Sequence, residues 1–130
     1  MKRIVTILMF LMVFSGFSAM KDGIYYAEKN SGGNWKAFVK LTVKGDRIIG
    51  VQYDRKNSSG ELLSIDQKYK AKFGETFRDA SFSMTRNLVS SQNLSSVKGV
   101  KDGAALSEFT ELVQFLINKA NVGETGNFKL

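Results

Sequence analysis

The sequence contains no cysteine, no histidine and no proline, and these three absences limit what the protein can do. Without cysteine the chain can form no disulfide bond, and it lacks the residue to which a lipoprotein anchor is attached. Without histidine it cannot build a Ser-His-Asp or Cys-His catalytic group, a His-ligated haem or an ordinary zinc site. Its turns must therefore be made by the 12 glycines together with Asn, Asp and Ser.

A long run of basic residues is also absent, although the chain carries a net charge of +7. Lys and Arg are scattered among acidic and polar residues, so we expect the charge to serve solubility and predict no nucleic-acid surface. The acidic residues are dispersed as well, and no Asp-x-Asp-x-Asp loop indicates a calcium or magnesium site. We therefore predict no metal site and no catalytic residues. A hydrolase built on paired carboxylates is the weaker alternative.

The first nineteen residues have the three-part layout of a secretory signal peptide. Lys2 and Arg3 form a basic start, Ile4–Phe14 is an almost unbroken apolar run, and Ser15–Ala19 consists mostly of small residues. Alanine suits the last position before the cut, whereas Phe17 is bulky where a small residue is usual. Because the apolar run is shorter than the roughly 20 residues of a spanning helix, we predict cleavage after this stretch. The alternative is a retained N-terminal membrane anchor.

Cleavage of residues 1–19 leaves residues 20–130 as a single exported domain, in the periplasm or outside the cell. About 111 residues are enough for one hydrophobic core, although they place the domain in the marginal size range. The mature chain has 17 basic against 12 acidic residues, and we expect it to have no stable membrane span.

The N-terminal half of the mature chain has the alternating pattern of β-strands. Ile24–Ala27 is rich in aromatic and branched residues, which predicts a first strand. Trp35–Val43 alternates between apolar and polar residues, and Arg47–Asp54 returns with the same period. The side chains predicted on the core face of this returning run are Ile49, Val51 and Tyr53. Because Gly45 and its neighbours provide turn chemistry between the two runs, we predict that they form a β-hairpin.

The C-terminal half changes to the helical spacing of three and four residues. Tyr69 and Phe73 lie four apart and predict a short helix that ends near Gly74. Two longer apolar stripes follow, and the second is strongly amphipathic. The first contains Phe77, Ala80, Ser81, Met84 and Leu88, and the second contains Leu106, Phe109, Leu112, Val113, Leu116, Ile117 and Ala120. Strands first and helices later predict an α+β fold, in which a twisted antiparallel sheet packs against the C-terminal helices.

Small residues precede the strongest of these helices. A helix N-terminus offers unpaired N–H groups and a partial positive charge, and small side chains let a phosphate approach them. The predicted cofactor-binding residues are Asp102, Gly103, Ala104, Ala105, Leu106 and Ser107. The alternative is an ordinary helix start with Asp102 or Ser107 as its N-cap, and on these residues alone it is the better supported of the two.

The order of these elements resembles the small FMN-binding domain family, which is found in exported flavoproteins. Asp22–Tyr25 is similar to the Asp-Gly-x-Tyr strand with which members begin. Val39–Val43, the Gly45-Asp46 turn and Ile48–Val51 are similar to the strands and turn that follow. Gly103–Ser107 lies where the family carries an Asp-x-x-Ser-Gly-Ala-Thr-x-Ser signature before a helix. The resemblance covers nearly the whole mature chain and implies the same α+β fold.

The resemblance implies a bound flavin, with one chemical departure. In flavinylated relatives the Thr of Gly-Ala-Thr is linked through its hydroxyl to the FMN phosphate, but here Ala105 stands in that position and has no oxygen to esterify. We therefore predict that FMN binds without a covalent bond, using backbone N–H groups in Gly103–Ser107. The aromatic residues considered as stacking partners for the flavin ring are Tyr25, Trp35, Tyr53 and Phe82.

Two functions of different classes follow. The first is an exported bacterial FMN-binding-like module that transfers electrons or carries flavin beside a redox partner protein in the cell envelope. The flavin would supply the redox chemistry, so this hypothesis needs no catalytic acid, base or nucleophile, and the protein would not be an enzyme. The second is a cofactor-free structural or interaction protein of the envelope, with a fold similar to that of the major membrane immunogen lipoproteins. The missing hydroxyl at Ala105 favours the second hypothesis.

Overall fold

The computed structural model describes residues 19–130, so the predicted signal peptide lies outside the described residues except for Ala19. Within that range the chain forms four strands, three helices and two short 3-10 turns. The strands are β1 (Gly23–Gly32), β2 (Trp35–Lys44), β3 (Arg47–Lys56) and β4 (Gly126–Lys129). The helices are α1 (Gln67–Phe73), α2 (Phe77–Ser91) and α3 (Gly103–Val122), and the 3-10 turns are Leu63–Ile65 and Leu94–Ser96. No helix in residues 19–130 is long and apolar enough to cross a membrane.

The four strands of the described range form one mixed sheet in the order β3-β2-β1-β4. The first three pair antiparallel, as the sequence predicted. β4, which was not predicted from the sequence, pairs with β1 in parallel, with Phe128 opposite Ala27, so the complete sheet is mixed. A parallel neighbour requires a long connection, and α3 with its 20 residues is part of that connection. A strand of four residues is too short to show an alternating pattern in the sequence.

The predicted hairpin is present, but a β-bulge shifts its register. Gly45 and Asp46 join β2 to β3 with φ angles of 61° and 60°, and positive φ at both residues is what a type I′ turn requires. The pairing register shifts close to this turn. As a result Ile48 is 3% exposed and Ile49 is 52% exposed. The placement of Ile49 on the core face was therefore wrong, because a bulge adds one residue that strict alternation does not anticipate.

The apolar stripes predicted on the helices form the core against one face of the sheet. α1 ends at Gly74 in the left-handed conformation, as predicted. The stripe on α2 is buried throughout, and the stripe on α3 is buried except for Leu106 and Ile117, which are half-buried. The largest fully buried side chains are Tyr25, Phe77, Phe109, Leu41, Met84, Leu88, Leu112, Leu116, Val39 and Val113. Full burial of such a side chain is worth about 1.5–3 kcal/mol, so these contacts are the main source of stability.

Candidate functional site

The six predicted site residues lie at the start of α3. Asp102 is the N-cap residue and the other five belong to the first turns of the helix. Gly103, Ala104 and Ser107 are exposed, Leu106 is half-buried, and Asp102 and Ala105 are buried. Ala105 is fully buried, so its side chain faces the core and not solvent.

The carboxylate of Asp102 occupies the N-terminus of α3. Its Oδ1 accepts hydrogen bonds from the N–H groups of Ala104 at 3.0 Å and Ala105 at 3.1 Å. Its Oδ2 accepts a hydrogen bond from the hydroxyl of Tyr69 at 3.1 Å. A capping carboxylate satisfies the N–H groups of the first turn and offsets the positive end of the helix. The residues present therefore do not fit a phosphate on these N–H groups, because it would have to displace a negative side chain that already holds them.

A network of buried polar side chains lies beside the first turns of α3. Oε1 of Glu108 accepts hydrogen bonds from the Tyr53 hydroxyl at 2.6 Å and from Nε of Arg55 at 2.8 Å. Oε2 accepts a hydrogen bond from the hydroxyl of Ser31. The buried carboxylate is thus hydrogen-bonded on both oxygens and paired with one cation, as a charge away from water must be. Burial and the charge of Glu108 raise the pKa of Tyr53, which keeps its hydroxyl a donor.

Arg55 connects this network to an open cleft of about 350 Å³. Its side chain is 13% exposed, and its guanidinium lies 5.2 Å from the centre of the Phe77 ring. The cleft is lined by the aromatic residues Trp35, Tyr69 and Phe73, by the cationic residues Arg55, Lys68 and Lys72, and by Ser31, Leu63, Asp102 and Ala104. One acidic residue thus stands among three cations, so the lining is net positive.

Helix α1 supplies most of the aromatic wall of this cleft. Tyr69 and Phe73, four residues apart, have their ring centres 4.6 Å apart. Tyr69 also packs edge-on against Phe77 at 5.2 Å and is largely buried. Burial and the charge of Asp102 raise the pKa of Tyr69, so its hydroxyl remains a donor to that carboxylate. Phe73 and Trp35 are half-buried, so part of each ring is exposed, and Nζ of Lys72 lies 5.1 Å from the centre of the Phe73 ring.

The four aromatic residues considered from the sequence have different surroundings. Tyr25 and Tyr53 are 0% and 2% exposed and belong to the core, so they cannot stack on a ligand. Phe82 is 49% exposed and lies on α2 beside a smaller cavity of about 140 Å³. Trp35 lines the cleft and also borders two neighbouring depressions of about 340 and 330 Å³. The open surface therefore continues past the cleft around its indole ring.

Of the residues that line the cleft, Trp35, Asp102 and Ala104 were predicted from the sequence as site residues, whereas the basic and aromatic residues of α1 and Arg55 were not. Lys68, Tyr69, Lys72 and Phe73 share one short helix, and their alternation of cationic and aromatic residues was a signal that could have pointed to them. Arg55 carried no local signal, because its place in the cleft depends on its pairing with Glu108, 53 residues further along the chain.

Two solved structures are similar to this chain. A crystal structure of the CPE2226 protein from Clostridium perfringens has a TM-score of 0.77 at 18% sequence identity, and the match covers 85% of this chain and 97% of that one. A solution NMR structure of a protein from Clostridium thermocellum has a TM-score of 0.52 at 22% identity, covering 78% and 92%. At such identities the likeness shows the fold alone, and it confirms the predicted α+β class. No protein-family model matches the sequence, and neither does any curated protein.

Proposed function

We propose that this protein is a non-catalytic binding module, exported by its signal peptide to the cell envelope, whose cleft binds a planar aromatic anion such as FMN. The observation that carries the proposal is the lining of the cleft, which combines three aromatic and three cationic side chains around about 350 Å³. Pockets for small ligands typically measure about 300–1,000 Å³. Aromatic faces stack on planar rings, and Lys and Arg bind phosphate or carboxylate groups.

The lining of the cleft matches the chemistry of a flavin, which has a planar ring system and a negatively charged tail. Trp35 and Phe73 offer partly exposed rings, and Lys68 and Lys72 offer exposed ammonium groups on the same rim. The negative tail would meet these side chains instead of the α3 N–H groups, which Asp102 holds. When bound, FMN would supply the electron-transfer chemistry, and an envelope redox partner would exchange electrons with it. The chain itself supplies position and positive charge.

Glu108 acts in this proposal as a positioning residue for Arg55. Its carboxylate accepts a hydrogen bond from Nε of Arg55, which is one of the five N–H donors of the guanidinium. The remaining donors are available to an anion in the cleft that Arg55 lines. The close ion pair therefore orients a cation that would otherwise have several rotamers to choose from.

A fluorescence titration tests this proposal directly, because Trp35 is the single tryptophan of the chain and lines the cleft. We expect FMN to quench Trp35 emission saturably and to bind about tenfold more tightly than riboflavin, which has the same ring but no phosphate. N-acetyltryptophanamide in the same FMN solutions corrects for absorption by the flavin. Saturable binding of neither compound up to about 1 mM, which corresponds to about 4 kcal/mol, would overturn the proposal.

A matched pair of double variants locates the binding site. Lys68→Gln with Lys72→Gln removes two charges from the cleft, whereas Lys40→Gln with Lys44→Gln removes two exposed charges from β2. We expect the first pair to weaken FMN binding about tenfold and to bring it close to riboflavin binding. The second pair should leave the affinity unchanged. Equal effects would show that the net charge of the protein, and not this cleft, attracts FMN.

A cofactor-free envelope interaction protein is the second candidate function. The observations that favour it are the self-capped start of α3 and the burial of Ala105, which leave no flavin attachment of the kind known in covalent relatives. An absorption spectrum of the protein purified from its host separates the two candidates. A flavin spectrum that leaves with the small molecules on denaturation and desalting supports the FMN module. A colourless protein that also takes up no added FMN supports the interaction protein.

A further inference from the structure

Another cavity, of about 250 Å³, lies where the N-terminal segment of the described chain contacts the folded domain. Its lining combines apolar side chains of the core with the polar residues Asp46, Gln92 and Asn121. Met20 also lines it and packs half-buried against the core, whereas the preceding residue, Ala19, is exposed. Among the described residues, the first that packs against the core is thus the one that directly follows the predicted cleavage point.

Hydrogen bonds hold the chain from Met20 onward. The N–H of Met20 donates to Oδ1 of Asp46, in the turn between β2 and β3, at 2.7 Å. The N–H of Lys21 donates to the carbonyl oxygen of Ala120 at 2.8 Å, and the Tyr25 hydroxyl donates to the carbonyl oxygen of Lys21 at 2.8 Å. The backbone nitrogen of residue 20 therefore has a fixed position beside a carboxylate.

We infer that Met20 is the N-terminal residue of the mature protein and that its α-ammonium group binds Asp46 in this cavity. The inference rests on the proposed signal peptide and is independent of flavin binding. A signal peptidase would add water across the Ala19–Met20 peptide bond, so that the C–N bond breaks, Ala19 becomes a carboxylate and Met20 becomes an ammonium. The cut converts a neutral N–H next to Asp46 into a cation at the same place.

The new group fits the cavity better than the amide it replaces. An ammonium has three N–H donors and a full charge, and a hydrogen bond between charged partners is about twice as strong as one between neutral partners. Oδ1 of Asn121 is buried and has no hydrogen-bond partner among the described residues, and Asn121 lines this same cavity. A buried acceptor without a donor is costly. The additional donors of the ammonium are of the kind that this oxygen lacks.

The pair with Asp46 makes stability depend on pH. The charged residues on the elements around Met20 are Lys21, Asp22, Lys44, Asp46, Arg47, Lys119 and Glu124. Asp22 accepts from the N–H of Gly45 and Glu124 pairs with Lys119, so Asp46 is the acid that contacts the Met20 nitrogen. An α-amino group has a pKa of about 7.7–8.0 when unfolded, and pairing raises its folded pKa. The stabilisation is therefore complete below about pH 7.7 and is lost as pH rises through the folded pKa.

The first experiment determines the N-terminus of the protein purified from its host, by intact mass and N-terminal sequencing. The expected result is a chain that begins at Met20. A protein that keeps residues 1–19, or that begins at another residue, would overturn the inference. The FMN titration is a separate measurement, so failure of flavin binding leaves this result unaffected.

The second experiment compares melting temperatures at pH 7 and pH 10 for the mature protein, Asp46→Asn and the control Asp22→Asn. Asparagine keeps an acceptor at position 46 and tolerates its positive φ, so only the charge is removed. Because Asp46 is exposed, we expect the wild type and Asp22→Asn to lose only about 2 °C more than Asp46→Asn over this range. A chain that keeps Ala19 in front of Met20 should behave like Asp46→Asn. Identical pH dependence in all four proteins would refute the ion pair.

Discussion

Two buried glutamates on opposite faces of the sheet make a natural comparison, because each accepts a hydrogen bond from a tyrosine hydroxyl. Glu108 lies on the face covered by the helices, where Tyr53 donates at 2.6 Å. Glu28 lies on the other face, where Tyr26 donates at 2.9 Å. Both glutamate side chains are 9% exposed, so their own burial does not distinguish them.

The cations that accompany the two glutamates do differ. Arg55 is 13% exposed and its Nε lies 2.8 Å from Glu108. Lys36 and Lys56 are 42% and 39% exposed, and each Nζ lies 3.5 Å from an oxygen of Glu28. The Arg55–Glu108 pair, here the inner pair, is therefore joined by a short hydrogen bond and shielded from water. The pairs of Glu28 with Lys36 and Lys56, here the outer pairs, are longer and in contact with solvent.

The difference shows that solvent access, more than the residue types in an ion pair, decides how much the pair contributes to stability. Water can replace a lost partner on the outer face, so exposed pairs there contribute little. On the inner face a lost partner leaves a charge without solvent, which is costly. Glu108 and its hydrogen-bond partners therefore hold Arg55 in place at the cleft. Glu28, Lys36 and Lys56, here the outer cluster, form a polar surface on the other face of the sheet.

The largest effect should come from Glu108→Gln, which leaves the Arg55 guanidinium without its anion. We expect the free energy of unfolding to fall by about 3 kcal/mol, the lower end of the range for a broken buried pair, because Arg55 reaches the cleft. Urea unfolding followed by circular dichroism measures it. Adding Arg55→Met to Glu108→Gln removes the unpaired charge while the Gln side chain still offers an acceptor to Tyr53, so it should recover most of the loss. A loss below about 1 kcal/mol would mean that the inner pair behaves as a surface pair.

The next largest effects should come from removing the two tyrosine hydroxyls, one on each face of the sheet. Tyr53→Phe removes a buried donor from Glu108 and should cost about 1–3 kcal/mol. Tyr26→Phe removes the corresponding donor from Glu28, where water can take its place, and should cost less than about 1 kcal/mol. The same denaturation assay measures both variants. Equal losses would show that the two faces do not differ in solvent access, contrary to what the exposures of the paired cations indicate.

Glu28 should make the stability of the protein sensitive to acid. Burial alone would raise its pKa, but the hydrogen bond from Tyr26 and the charges of Lys56 and Lys36 together lower it below the ordinary value of 4.5. The stabilisation is therefore present above pH 4.5 and is lost as pH falls through the lower folded pKa. Melting curves from pH 6 to pH 3 should fall more steeply for the wild type than for Glu28→Gln. Parallel curves would rule out a lowered pKa.

The smallest effect should come from Lys36→Gln. Its ammonium is exposed, and Lys56 still pairs with Glu28 at the same distance of 3.5 Å. We expect a change within about 0.5 kcal/mol that disappears in 1 M salt, as for other exposed pairs. A larger change that persists in salt would show that the Glu28 pairs are shielded from solvent as the Arg55–Glu108 pair is.

Much of the fold was predictable because its signals are local. The hairpin followed from alternation on both sides of Gly45, and the helical stripes of α2 and α3 followed from their spacing. The exposed position of Ile49 and the parallel pairing of β4 were not predictable, because a bulge and a strand partner depend on residues distant in the chain. The cleft is a similar case, since α1 meets β2, β3 and the start of α3 there.

The start of α3 shows where prediction from residue types ends. Small residues before a strong helix indicate either a phosphate site or an ordinary cap, and the same sequence is compatible with both. In the folded chain Asp102 holds the N–H groups of Ala104 and Ala105 while Tyr69 donates to its second oxygen. That hydroxyl comes from a helix 33 residues earlier, so the arrangement had no local signal.

Periodicity, turn residues and the missing residue types were enough to establish the α+β class, the hairpin, the helices and the exclusion of histidine and cysteine chemistry. These properties depend on neighbouring residues or on composition, so they can be read without a fold. The partners of Arg55, Asp102 and Met20 depended on the tertiary structure alone. Each of these contacts joins segments that are far apart in the chain, and only the folded arrangement of strands, turns and helices brings them within hydrogen-bond distance.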